Sequence, residues 1–293
     1  MKGKTRKKMR IGLIIFCMVI MIFIFVEIFI SYKCLSVKKY TIKSNRIHEK
    51  TKVVMIADLH DSSFGNDNKR LISKIKSQNP DLILMVGDMI NDNSKDISVV
   101  VELIKNLKDT APIYYAWGNQ EIENKQISLK EQKEQFEAAG AVVLEEAYKD
   151  IEVNKNKIRI GGFYEYAFAV DGAGHMDTGK IPKKQRKFLE DFQNTDAFRI
   201  MMAHRPDSFV FGEAYKTWNV DLVVSGHAHG GQVVLPLVGG LYGADQGWFP
   251  KYIDGIHQFK TVKNMVITRG LGSNVQKLPR FHNVPEIVSI TME

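Results

Sequence analysis

The chain opens on a short polar and basic run, then continues through 22 positions, Ile11 to Tyr32, that carry a single charge, Glu27. A helix crossing a bilayer needs roughly 20 apolar residues, so this stretch predicts one transmembrane helix. A cleaved signal peptide would be shorter and would end on small residues. Ser31-Tyr32-Lys33 is a poor site of that kind, and Cys34 lacks the small residue expected before a lipid-modified cysteine. From residue 51 the pattern changes to short apolar runs alternating with helical stretches, the mark of an α/β domain. Strands are expected at Val53–Ala57, Leu82–Val86, Pro112–Ala116, Arg199–Ala203 and Leu222–Ser225. Apolar residues at helical spacing, such as Leu71, Ile72 and Ile75, predict helices over Asn68–Gln78, Asp96–Leu107 and Ser128–Ala139. The second half is richer in strands: Lys157–Gly161, Gln232–Leu235, Met265–Thr268 and Ile287–Thr291. Two sheets flanked by helices, a four-layer α/β/β/α sandwich, fit this order better than one doubly wound sheet. The expected organisation is a basic flank (1–10), an anchor (11–32), a polar linker (33–50) and one α/β domain (51–293).

Charge sharpens this division. The net charge is +8, which by itself suggests nucleic acid or an anionic membrane. Residues 1–50 hold 12 Lys/Arg against two acids, leaving 29 basic and 31 acidic side chains in the other 243 residues. The basicity therefore sits beside the apolar span, and the folded part has no broad nucleic-acid footprint. Six cations crowd into Lys2–Arg10 and six more spread over Lys33–Lys50. Cation density next to the span favours the N-terminus inside, which puts the domain on the extracytoplasmic side of a single-pass membrane protein. Both cysteines, Cys17 and Cys34, lie in or beside the anchor. The domain can form no internal disulfide and has no thiolate, so any metal must be held by His, Asp, Glu or Asn.

Candidate ligands follow the predicted strands. Asp58-Leu59-His60 comes after the first, Gly87-Asp88 after the second and Trp117-Gly118-Asn119 after the third. His204 and Gly226-His227-Ala228-His229 follow the next two. Taken singly, each has a bland explanation: a turn, a solvated pair or a satisfied core histidine. Carboxyl ends of strands are where α/β sheets bind ligands, and five such ends aim seven ligands at one crevice. Imidazole, carboxylate and amide oxygen suit Mn, Fe, Zn or Mg rather than copper. Seven ligands over-supply one ion and suit two. Two ions roughly 3.5–4 Å apart can clamp the attacking and leaving oxygens of an in-line displacement and neutralise phosphoryl charge. No Ser or Cys nucleophile is then required.

The series DLH, GD, GN, H and GHAH at 58–60, 87–88, 118–119, 204 and 226–229 resembles the calcineurin-like metallophosphoesterase family, over essentially residues 51–293. The resemblance implies that one ion takes Asp58, His60 and His229, that the other takes Asn119, His204 and His227, and that Asp88 bridges them. Gly230-Gly231-Gln232, Thr268-Arg269-Gly270-Leu271-Gly272 and Pro285-Glu286-Ile287 are similar to a narrower group of bacterial membrane-anchored members of the YkuE/YaeI type. The resemblance implies a phosphodiester or pyrophosphate substrate at the cell envelope; a relation of the group hydrolyses the pyrophosphate of UDP-diacylglucosamine. One position departs from the pattern. The third motif usually reads Gly-Asn-His and then an acid, and the histidine assists the leaving group; here Gln120 stands between Asn119 and Glu121. A glutamine can donate a hydrogen bond but cannot deliver a proton. Gln120 therefore takes that catalytic position, with His175 and His282 as other proton sources, and a catalytically weak or silent metal-binding envelope protein is the rival reading. Arg269, and less strongly Arg205, are candidates to pair with substrate phosphate. Tyr242, Trp248, Phe249 and Tyr252 are expected to pack in the core rather than line the mouth. Neither the oligomeric state nor the native substrate is legible.

Overall fold

Leu82-Ile83-Leu84-Met85-Val86 has no polar position because it is a central strand with both faces covered, and all five residues are buried. The computed structural model describes residues 2–273 and 278–293. In chain order, helix α1 (Lys2–Lys33) leads to β1 (Ser36–Ile42), β2 (Thr51–Ile56), α2 (Lys69–Lys76), β3 (Leu82–Val86) and α3 (Ser98–Leu107). Then come β4 (Ile113–Ala116), α4 (Asn119–Glu123), α5 (Leu129–Ala139) and β5 (Ala141–Val143). The second half runs β6 (Ala147–Val153), β7 (Asn156–Gly162), the hairpin β8–β9 (Ala169–Val170, Met176–Asp177), α6 (Lys183–Gln193) and β10 (Phe198–Met202). Short helices α7 (Asp207–Val210) and α8 (Ala214–Thr217) precede β11 (Leu222–Ser225). Two hairpins, β12–β13 (Val234–Leu235, Gly239–Gly240) and β14–β15 (Tyr242–Gly243, Gly247–Trp248), lead to β16 (Gly255–His257), β17 (Met265–Ile267) and β18 (Glu286–Met292).

Two six-stranded sheets result, ordered β1-β18-β2-β3-β4-β5 and β16-β17-β11-β10-β7-β6. Alternation along each strand sorts its side chains into layers. Val53 and Met55 of β2 meet Ile158, Ile160, Ile200 and Met202 between the sheets. Val54 and Ile56 face outward onto α2, α3 and α5 through Leu71, Ile75, Ile104 and Phe136. Phe188, Leu189 and Phe192 of α6 cover the outer face of the second sheet. The molecule is thus the expected four-layer sandwich. Helix α5 shows how local sequence sets the elements: the Ser128 hydroxyl accepts from the Glu131 N–H at its start, and Gly140 (φ 119°) ends it in a left-handed conformation.

The stretch 33–50, expected as a polar linker, contains β1, which pairs in parallel register with β18 from Ser36↔Glu286 to Ile42↔Met292. Its polar residues concealed it, because an edge strand needs few apolar positions. Strand β18 also pairs antiparallel with β2, so the C-terminus is inserted into the first sheet.

Candidate metal centre

All five strands preceding a candidate ligand (β2, β3, β4, β10 and β11) end two or three residues before it. Sharp reversals follow. Asp58, His60, Asp88, His227 and His229 all have positive φ, between 47° and 66°. Left-handed backbone costs a non-glycine residue roughly 1 kcal/mol or more, and such strain collects at functional sites. Two glycines make room for this crowding. A Cβ on Gly87 (φ 73°) would lie 2.8 Å from His204 Nδ1, and one on Gly226 would lie 2.5 Å from Asp58 Oδ2.

All seven expected ligands are buried; six of them fall into two groups, and the seventh, Asn119, lines the same pocket. Asp58, His60 and His229 offer ligand atoms within 4.8 Å of one another, and so do Asp88, His204 and His227. Asp88 Oδ2 lies 3.2 Å from His204 Nε2 and 3.8 Å from His60 Nε2, between the groups. Its other oxygen accepts the Gln120 N–H at 2.9 Å. Whether the site fits metal ions is testable on its polar atoms. His60 Nε2, His204 Nε2, His227 Nε2, His229 Nδ1 and Asn119 Oδ1 are all buried without a hydrogen-bond partner. An orphaned buried polar atom is costly, and five in one place are accounted for together by divalent cations.

The opposite edges of the rings are fixed. His204 Nδ1 donates to the Val86 carbonyl at 2.7 Å, and His60 Nδ1 meets Asn91 Oδ1 at 3.0 Å. Each bond selects the tautomer whose Nε2 lone pair points inward. Both Asp58 oxygens accept the His227 N–H, at 3.0 and 3.2 Å. Charge is unbalanced here. Burial pushes the Asp58 carboxyl up to about 7. Burial works against a charge on His204 too, but Asp88 and Asp58 outweigh it and raise that imidazole to about 9. For Asp88 burial is again opposed, by His204, His60 and His227, and its carboxyl falls well below the ordinary range. His60, His227 and most of all His229 are lowered by burial. A cation would resolve the mismatch by taking the place of protons.

The structure gives Glu121 and Asp245 supporting roles that the sequence reading does not assign to them. Glu121 is fully buried and accepts from the N–H groups of Asp88 (2.8 Å), Met89 (2.7 Å) and Gly118 (2.9 Å) and from the Tyr115 hydroxyl (2.7 Å). It clasps the two loops that carry Asp88 and Asn119. Asp245 Oδ2 approaches His227 Nε2 to 3.2 Å and Arg205 Nε to 3.7 Å. Arg205 lies over the Tyr164 and Tyr166 rings, 4.7 and 5.5 Å from their centroids.

A pocket of about 200 Å³ opens over the site, lined by His60, Asp88, Asn119, Gln120, His227 and His229 with Gln232, Tyr242 and Ala244. Gln120 is thus in the wall, and its Oε1 accepts the Asp92 N–H at 2.9 Å. Arg269 is committed elsewhere: Nε donates to Asp254 Oδ2 at 2.6 Å and Nη2 lies 2.5 Å from the same oxygen. His175 is exposed and bonded to Asp171, while His282 meets Glu27 of α1; neither lines the pocket. The expectation that the aromatic stretch packs in the core fails for Trp248 and Phe249, which are 62% and 63% exposed, and for Tyr242, which lines the pocket. Trp248 ends β15 and Phe249 follows it, and the β14–β15 hairpin is too small to cover them.

The sequence pattern described as calcineurin-like phosphoesterase matches residues 51–231. The uncharacterized metallophosphoesterase YkuE of Bacillus subtilis is 28% identical over 87% of this chain and 84% of its own length. The phosphodiesterase YaeI of Escherichia coli is 28% identical over 76% of this chain and 75% of its own. An uncharacterized metallophosphoesterase of Campylobacter jejuni, Cj0846, is 28% identical over 67% of this chain. The chain spans about half the length of that protein, 49% of it.

Proposed function

The chain belongs to the calcineurin-like phosphoesterase family, and from that premise we propose that it hydrolyses a phosphodiester or pyrophosphate at the surface of the cell membrane, using two divalent ions. Asp58, His60 and His229 would hold one ion and Asn119, His204 and His227 the other, with Asp88 between the two groups available to both. Mn, Fe or Zn suits this imidazole, carboxylate and amide donor set. When bound, the ions supply Lewis acidity and an activated water for in-line attack on phosphorus. The chain's own residues do the rest. Val86 and Asn91 hold the His204 and His60 rings with Nε2 inward. The Gln120 N–H holds one oxygen of Asp88 and leaves the other between the two groups. Gln120, in the pocket wall, offers a leaving oxygen a hydrogen bond and no proton, which favours leaving groups stable as anions, such as a phosphate or an aryl oxide.

The observation that carries this reading is the set of five orphaned buried atoms around Asp88. The test is metal analysis of the full chain coupled to a screen of phosphomonoesters, phosphodiesters and pyrophosphates. Two ions per chain with turnover of a diester or pyrophosphate are expected; one ion or none overturns the assignment. Gln120 also favours a second reading, a metal-binding protein without turnover. Two bound ions with no hydrolysis of an activated aryl phosphodiester in added Mn would select it.

One helix among the described residues is long and apolar enough to cross a membrane, Arg6–Lys33; it supports the membrane location, with the domain on the extracytoplasmic side. A lipid-linked or UDP-sugar-lipid substrate fits that location. For substrate phosphate, Arg269 remains a candidate if it can leave Asp254, and Arg205, which shares Asp245 with His227, is the alternative guanidinium.

A further inference from the structure

The anchor helix and the domain do not meet at a linker; they are packed together. Ile11 to Val26 are exposed throughout, whereas Glu27 is partly covered, and Ser31 and Leu35 are buried against the domain. The covering segment is Arg280–Asn283. The Asn283 N–H donates to Ser31 Oγ at 3.1 Å, the Arg280 N–H donates to the Tyr32 hydroxyl at 3.0 Å, and His282 Nδ1 meets Glu27 Oε2 at 2.9 Å. Phe281 reaches further along the helix, edge-on to Phe23 at 6.5 Å between ring centroids.

This same segment grips the ligand loop. Asn283 Nδ2 donates to the carbonyls of His229 (2.7 Å) and Gln232 (3.0 Å). The Phe281 N–H donates to the Gln232 carbonyl, and the Val234 N–H donates to the Phe281 carbonyl. Strand β12 therefore starts beside the anchor, and the hairpins β12–β13 and β14–β15 follow at once. At their ends stand Leu237, Val238, Trp248 and Phe249, at 108%, 57%, 62% and 63% exposure. Among the described residues outside α1, these are the four most exposed large apolar side chains. Exposed Lys251 follows the aromatic pair, two positions after Phe249. Aromatic tips next to a cation are the composition of a membrane interface.

Length decides where the bilayer lies. Exposed apolar side chains run from Ile11 to Val26 and return at Phe29, 56% exposed; Ile11–Phe29 is 19 residues, about 28 Å of helix at 1.5 Å per residue. A hydrocarbon core is about 30 Å thick, so it takes this whole stretch. The apolar layer therefore passes Phe23, against which Phe281 stands, and reaches the level where β12 begins.

We propose that the hairpin tips Leu237–Val238 and Trp248–Phe249 form a lip that dips into the bilayer beside α1, so that the pocket opens at the lipid surface and takes its substrate from there. The proposal rests on the membrane anchoring argued above. Tyr242 and Ala244, between the two tips in sequence, line the pocket, so an acyl chain could stay in lipid while its phosphate enters the site.

The chain has three tryptophans, and two, Trp117 and Trp218, are buried at 2% and 3% exposure. Trp248 is therefore a native depth probe. The full chain is reconstituted into phosphatidylcholine vesicles, with acyl chains brominated close to the headgroup or left unbrominated, and floated on a density gradient. The expected result is weaker emission in the brominated vesicles, and no difference between the two lipids for Trp248→Phe. Vesicle-bound chain with equal emission in both lipids overturns the lip while leaving the anchor intact, and would mean that the tips meet another protein or a second copy. Quenching that persists in Trp248→Phe overturns it equally. A chain that fails to float overturns the anchoring and the lip with it. Leu237→Asp, at a fully exposed tip, gives an independent check: it should reduce Trp248 quenching without changing the number of metal ions bound.

Discussion

The floor of the pocket and its rim are built on opposite principles. Every candidate ligand in the floor is buried, several on left-handed backbone, and His60, His204 and the loop of Asp88 are fixed by Asn91, Val86 and Glu121. The rim from Gln232 to Tyr252 consists of two-residue strands whose largest side chains face outward. The floor resists change because its ligand atoms are buried and crowded; the rim tolerates it at Leu237, Val238, Trp248 and Phe249, whose side chains stand exposed. Chemistry belongs to the first, and the choice of what reaches it belongs to the second.

Breaking the floor should have the largest effect. Asp88→Ala removes the oxygen that lies 3.8 Å from His60 Nε2 and 3.2 Å from His204 Nε2, so activity should fall by roughly 10⁴ or more, over 5 kcal/mol in the barrier, and at least one ion should be lost. Metal analysis and rates on the same preparation decide it; two ions with near-normal turnover would remove Asp88 from the bridge. Trp248→Phe in the rim should leave both quantities unchanged.

Glu121→Ala strikes the floor from behind. It leaves the N–H groups of Asp88, Met89 and Gly118 and the Tyr115 hydroxyl buried and unpaired. Denaturant unfolding should show a loss of about 3–5 kcal/mol, as when one partner of a buried charged network is removed. A loss under 1 kcal/mol would mean that water reaches those donors.

Gln120→His tests where floor and rim meet. General acid assistance is typically worth 10²–10⁴-fold, and alkyl esters need it more than aryl esters. The variant should gain roughly 10-fold or more on alkyl diesters, little on aryl ones, and no change in metal content. Plots of rate against leaving-group pKa with equal slopes for parent and variant would reject a leaving-group role for residue 120.

Arg205→Ala should raise KM for an anionic substrate about tenfold, near 1.4 kcal/mol, while kcat and metal content stay close to the parent. Unchanged KM would reduce Arg205 to a packing role over Tyr164 and Tyr166.

The smallest effect concerns pH. Burial pushes the Asp207 carboxyl up to about 7 in the folded chain, against about 3.9 when unfolded. The unfolded chain loses this proton first as pH rises, so stability is full below about pH 4 and declines towards pH 7. Asp207→Asn should remove that decline, with a gain of about 1 kcal/mol or more at pH 8. Parallel stability profiles for parent and variant from pH 5 to 8 would refute the shift.

Part of this division was legible in one dimension. Asp58, Asp88, Asn119, His204 and the 226–229 motif announce themselves because each follows an apolar run, and strand ends are where a sheet gathers ligands. Gln120 stood out only against the family motif, where a histidine is usual, and it stands in the wall. Glu121 carried no such mark: its importance comes from loops 33 residues apart that meet only after folding. Asp245 lies 18 residues beyond His227 in an irregular stretch with no periodicity to read.

Alternation and helical spacing therefore pointed to the layers and the strand ends, and residue type to the candidate ligands beyond them, since those depend on local burial and local chemistry. Pairing across the chain lay beyond them. A polar edge strand such as Ser36–Ile42 is recognisable only once β18 lies alongside it. Which aromatic residues stay outside was settled by the size of the β14–β15 hairpin, because exposure depends on what lies opposite a side chain. The seat of α1 on Arg280–Asn283 is likewise a contact between the two ends of the chain, and no local pattern encodes a distance of 250 residues.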